Sequence, residues 1–142
     1  METNIIDVLK AQLKKDEGFS GSPYLDTVGK TTIGYGRNLD DKPITKDEAD
    51  MLLTTDAVEA FEDAAALFNQ FDEFNPMVQV VFSAMCYQMG KAGLSTFRRM
   101  IFAANAADWD EVVVQMRDSK WYSQTPNRAE RYIKIIEACS GN

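Results

Sequence analysis

The feature that most constrains how this chain can fold is a change of texture across residues 18–43. On both sides the sequence is patterned for helix. Within that stretch, glycine, threonine and tyrosine take over in short alternating runs, the composition of brief strands joined by tight turns. Residues 24–28 and 31–35 flank Gly29-Lys30, which predicts a small antiparallel sheet of two or three strands, and Asp40-Asp41-Lys42-Pro43 breaks it. Upstream, Ile5, Val8, Leu9 and Leu13 recur at helical spacing with Asp7, Lys10, Lys14 and Lys15 off that stripe, predicting an amphipathic helix that ends just before Glu17-Gly18.

Everything after Thr45 reads as helix. Thr45-Lys46-Asp47-Glu48 is a capping-box pattern, in which a threonine hydroxyl and a glutamate three residues on satisfy each other's free amides, and it predicts a long helix to about Phe68. Asn75-Pro76 sets a cap residue before a proline at the first helical position, opening the apolar run Val78, Val80, Val81, Phe82, Ala84, Met85. That helix is apolar nearly all round and is predicted to be the core of the larger lobe, with Gly90 and Gly93 ending it. Asp108 before Val112, Val113 and Met116, and Thr125-Pro126-Asn127 before Tyr132, Ile133 and Ile136, repeat the capping logic. The fold class implied is α+β, a small sheet lobe over about residues 16–44 and a helical lobe over about 45–142 plus the N-terminal helix, in one domain.

Composition narrows the chemistry. The 142 residues include no histidine, which removes Ser-His-Asp and Cys-His nucleophile systems and every metal site that needs an imidazole. Cys86 and Cys139 are too few for a disulfide scaffold and read as packing residues of a reduced, intracellular chain; neither a metal nor a cofactor is expected. A formal charge of −7 argues against nucleic acid as partner. Lys120, Arg128, Arg131 and Lys134 nevertheless gather near the C-terminus, as a solvated helix surface or as a local anion site. The first residues, Met1-Glu2-Thr3-Asn4-Ile5-Ile6-Asp7, lack the pattern of a signal peptide, and no stretch is long enough to insert stably in a membrane.

What remains is carboxylate chemistry. Glu17 falls at a helix end and Asp26 in or beside a hairpin, so they come from different elements and can face each other across a gap. Paired carboxyls are the minimum apparatus for cutting a glycosidic bond, one protonating the leaving oxygen and the other activating water or attacking the sugar. Thr32, on the next strand, adds a hydroxyl that can help Asp26 hold a water without bringing charge. The same acidic residues also fit the ordinary role of charged side chains at helix ends and turns. Gly34-Tyr35-Gly36 lacks the third glycine and the following helix of a phosphate loop. Tyr35, Tyr87, Trp121 and Tyr122 could stack on sugars, although core packing is the commoner use of such residues.

The segment Asp16-Glu17-Gly18 … Tyr24-Leu25-Asp26-Thr27 … Thr32-Ile33-Gly34-Tyr35-Gly36 resembles the catalytic region of phage-type lysozymes of glycoside hydrolase family 24. Ile44-Thr45-Lys46-Asp47-Glu48-Ala49 resembles the start of that family's long inter-lobe helix, Tyr87-Gln88-Met89-Gly90 a cleft-lining segment, and the run from Lys120 through Trp121, Pro126 and Arg128 to Ala129 its C-terminal stretch. The resemblance implies a two-lobed lysozyme-like fold, with Glu17 as general acid, Asp26 as the carboxylate that positions or activates water, and Thr32 as its partner. It further implies that Arg128 pairs with Glu17 and that Tyr87, Gln88 and Gln115 face the saccharide. The activity implied is hydrolysis of the β-1,4 bond between N-acetylmuramic acid and N-acetylglucosamine in peptidoglycan, by a monomeric endolysin. Such a protein waits in the host cytoplasm for a holin-like partner and then acts on the cell wall.

Three features depart from the family's best-known member. The connection between Arg37 and Ile44 is much shorter, Arg37 stands in place of a histidine that makes a stabilising ion pair, and the chain is acidic where that member is basic. Electrostatic capture of an anionic wall should therefore be weaker.

Overall fold

The computed structural model describes residues 4–140. The chain divides into two compact units, one closing at Asp50 and the next beginning at Met51.

In the first unit, helix α1 (Ile5–Glu17) starts where the Asn4 side chain accepts from the Ile6 amide, and it ends on Gly18 in the left-handed region at φ 67°. It runs about one turn-third further than its apolar stripe predicts, so Glu17 is its last residue rather than the first beyond it. Three antiparallel strands follow in the order β1 (Ser20–Leu25), β2 (Thr31–Gly34) and β3 (Arg37–Asn38), as the texture of residues 18–43 predicts. Strand β1 opens earlier than its alternation suggests, and its register against β2 slips between Ser20 and Tyr24. Pro23 sits in that slip, where the ladder asks no amide of it. Tyr24 then pairs with Thr32, and Thr32 with Asn38.

Helix α2 (Lys46–Leu67) begins with the predicted capping box: the Glu48 amide donates to the Thr45 hydroxyl at 3.1 Å, and the Thr45 amide to Glu48 Oε1 at 2.8 Å. The same carboxylate receives the Arg37 guanidinium from β3, Nη1 to Oε2 at 2.6 Å and Nη2 to Oε1 at 2.9 Å. Arg37 also donates to the carbonyls of Lys42 and Pro43, which bridges the short connection. Arg37 thus forms an ion pair with Glu48. The Arg37 hydrogen bonds, followed by the Thr45 amide, lower the Glu48 pKa from the ordinary 4.5 to about 2. A carboxyl whose pKa falls on folding adds stability above its unfolded value, and that stability is lost as pH drops toward the folded value. The melting-temperature gap between wild type and Glu48→Gln is therefore expected to be constant near neutrality and to close between pH 4.5 and about 2. Circular dichroism melts across that range measure it, and a gap that persists at the acid end would assign the loss to the cap alone.

The second unit is helical: α3 (Pro76–Ser95), α4 (Arg98–Asn105), α5 (Trp109–Arg117), α6 (Lys120–Gln124) and α7 (Pro126–Cys139) join the rest of α2. The Asn75 and Asp108 side chains cap α3 and α5 as predicted, accepting from the amides of Met77 and Glu111. Thr125 differs. It stands at the start of α7, but its hydroxyl donates back to the Trp121 carbonyl at 3.1 Å, beside its own amide at 3.0 Å, because α6 ends one residue upstream and Thr125 caps that end. Gly90 interrupts α3 at φ 79°, and one further helical turn follows, so Gly93 does not terminate it.

The core gathers on α3, where Val78, Val81, Phe82, Met85 and Cys86 are all buried. Phe68, Phe71, Phe74 and Phe82 interlock, with Phe68 and Phe82 stacked at 4.2 Å between centroids and Trp109 edge-on to Phe74 at 5.2 Å. Cys86 is buried within this core, Cys139 packs at its margin, and both thiols are free; burial pushes the Cys86 thiol pKa up. Among the described residues, no helix is long and apolar enough to cross a membrane.

Candidate active site

Glu17 is carried at the C-terminus of α1 and pressed against the second glycine of Gly34-Tyr35-Gly36. A β-carbon built on Gly36 would lie 2.6 Å from Glu17 Oε2 and 2.9 Å from Cδ, so the carboxyl rests on bare backbone. The residues beside each partner also meet: the Phe19 and Tyr35 rings are 5.5 Å apart, and Lys14 Nζ stands 5.4 Å from the Tyr35 centroid. Both rings are largely exposed.

Asp26 closes the β1–β2 hairpin. Its amide donates to the Lys30 carbonyl at 2.9 Å, its carbonyl accepts from Gly29, and Gly29 takes φ 83°, the left-handed position that such a three-residue loop requires. Its side chain holds the same turn, because Oδ1 accepts the amides of Val28 at 2.9 Å and Lys30 at 2.8 Å. Oδ2 is thereby left to other partners. Thr32 is 3% exposed, the one buried polar residue among those described, and its hydroxyl donates to the Lys30 carbonyl at 2.9 Å. Asp26 and Thr32 are thus both tied to the Lys30 peptide. With its proton committed there, Thr32 has only lone pairs left to offer, so a water beside the pair would donate to both groups. The sequence reading placed Thr32 beside Asp26 and missed Lys30 as the link.

The remaining predicted residues lie in the second unit. Tyr87, Gln88 and Arg128 line one 750 Å³ cavity with Arg131 and Tyr132, which brings two of the clustered C-terminal cations to a shared recess. Gln88 is oriented from the core: its Oε1 accepts from Trp121 Nε1 at 2.9 Å, leaving its amide nitrogen as a donor. Gln115 is not with them. It lines a different recess beside Lys120 and donates to Glu111 one turn back on α5 at 2.7 Å. Of the four aromatics considered for stacking, Trp121 is buried, and Tyr122 is held by its hydroxyl donating to Glu130 at 2.8 Å; Tyr35 and Tyr87 are exposed.

A small three-stranded antiparallel sheet, with Glu17 on the helix before it and Asp26 in its first hairpin turn, combined with a helical unit entered by one long helix, defines a lysozyme-like α+β protein. The phage lysozyme family model matches residues 14–131, and the chain belongs to that family. It is 25% identical to a probable T4-type lysozyme 2 of Dictyostelium discoideum, with 94% of this chain and 95% of that protein aligned. It is 30% identical to the pre-baseplate central spike protein Gp5 of Enterobacteria phage T4, aligning 87% of this chain to 26% of that protein. A peptidoglycan hydrolase, gp36 of Pseudomonas phage phiKMV, is 26% identical over 88% of this chain and 14% of its own length.

Proposed function

We propose that this protein is a muramidase that hydrolyses the β-1,4 bond between N-acetylmuramic acid and N-acetylglucosamine in bacterial peptidoglycan, acting as an endolysin released by a holin-like partner. Membership of the phage lysozyme family supports the reaction class, and the likeness to a peptidoglycan hydrolase supports the substrate. The observation that supports the reading is the anchorage of both Asp26 and Thr32 on Lys30, which leaves Asp26 Oδ2 and the Thr32 lone pairs as acceptors for a water.

In the proposed reaction, Glu17 gives its proton to the glycosidic oxygen as the bond from the anomeric carbon breaks. A water held by Asp26 Oδ2 and Thr32 attacks that carbon, and Asp26 takes up the proton released. The products are a new reducing end on the muramic acid and a free hydroxyl on the glucosamine. A lytic transglycosylase would need the acid alone and would leave anhydro ends, so a purposefully held Asp26 favours hydrolysis.

Digestion of purified peptidoglycan, with mass spectrometry of the fragments, tests this. Reducing muramic acid ends support it, anhydro ends would reassign it to a transglycosylase, and an absence of products would leave a wall-binding or virion module. Asp26→Asn keeps the turn's acceptor but removes the charge that takes up the proton, and is expected to lower turnover by about 10²-fold with the sheet intact. Steady-state rates beside circular dichroism check it; loss of the sheet signal would assign the effect to the hairpin instead.

A further inference from the structure

We infer that Gly36 is a positioning residue for Glu17: its missing side chain is the seat on which the carboxyl rests. This deepens the reading of Glu17 as the acid and depends on it. Among the described residues five glycines take positive φ, which by itself marks turns. Gly36 is distinguished from the others by what stands above it. At Gly18, Gly29, Gly34 and Gly90, a β-carbon would meet nothing within 4 Å, whereas at Gly36 it would meet Glu17 Oε2, Cδ and Cγ at 2.6, 2.9 and 3.1 Å. The backbone at Gly36 is therefore close-approached as well as left-handed.

The consequence is positional. A methyl group there cannot coexist with the carboxyl where it now lies, and Glu17, on the last turn of α1, would have to swing its head group away from the sheet. Displacing a catalytic group by about 1 Å costs on the order of 10²-fold in rate. Backbone strain alone carries no such penalty for chemistry.

Gly34 supplies the control, because it ends β2 two residues before Gly36 and has φ 67° against 75° at Gly36, with open space where its β-carbon would go. Gly34→Ala imposes the strain without the collision. On peptidoglycan, Gly36→Ala is expected to lower kcat by about 10²-fold at nearly unchanged KM, while Gly34→Ala stays within about threefold of wild type. Melting temperatures in a Glu17→Ala background give a readout independent of activity. There the destabilisation by Gly36→Ala should shrink to that of Gly34→Ala, since the colliding carboxyl is gone. This comparison stands even if Gly36→Ala alone fails to fold. Equal losses from Gly36→Ala in both backgrounds, or equal kcat for the two alanine variants, would overturn the inference. An active Glu17→Gln would instead overturn the reading of Glu17 as the acid, and that result is separable from the stability cycle.

Discussion

Replacing Glu17 by glutamine is expected to lower peptidoglycan turnover by about 10²–10⁴-fold while leaving the melting temperature unchanged. The amide has the shape of the carboxyl but no proton to give, so bond breaking would have to expel a sugar alkoxide unaided. Stability should not follow, because Glu17 ends its helix rather than bracing the sheet: the turn there is closed by the Gly18 amide donating to the Lys14 carbonyl at 3.1 Å. Glu17→Asp makes a stricter test. It keeps the acid but withdraws it by one methylene from Gly36, so an aspartate variant as active as wild type would mean that the position of the acid matters little. Muropeptide release from the three proteins, measured beside thermal melts, decides between these outcomes.

The largest loss of stability is expected from Phe82→Ala. Phe82 is wholly buried on α3, stacked against Phe68 and 5.7 Å from the Phe74 ring, so truncation empties the middle of an aromatic cluster rather than its edge. Such replacements cost about 3–5 kcal/mol, from lost transfer energy and from a cavity the neighbours cannot close. Phe82→Leu retains most of the volume and should cost well under half as much. Urea unfolding of the two variants measures the difference. A loss below about 1 kcal/mol for the alanine variant would show a core able to collapse around the gap.

Local chemistry was the most legible part of the chain. The reciprocal cap between Thr45 and Glu48, the side-chain caps at Asn75 and Asp108, and the hairpin around Gly29 each depend on residues within a few positions, and each formed as their spacing predicts. The positions of Glu17 at a helix end and Asp26 at a turn were legible for the same reason. What escaped were contacts that cross between elements. Nothing in the pattern announces that Arg37 spans 11 residues to Glu48, or that Trp121 reaches back 33 to fix Gln88. Gly36 escaped for a subtler reason, since a glycine's purpose lies in what approaches it, and that appears only in three dimensions. The bond from Gln115 to Glu111 escaped too, since in sequence Gln115 looks like an ordinary polar position on a helix. The α4 and α6 helices were not delimited, being short segments whose ends carry weaker signals than Asn-Pro or Thr-Pro.

Both tryptophans belong to the helical unit, Trp109 against Phe74 and Trp121 bonded to Gln88. Indole emission is therefore an optical probe of that unit alone, and it is blind to the fifty residues that carry Glu17, Asp26 and Thr32. If those residues were to loosen first on warming, fluorescence would still signal an intact molecule after activity had gone. A tryptophan introduced at the exposed Tyr35 would give the first unit a colour of its own.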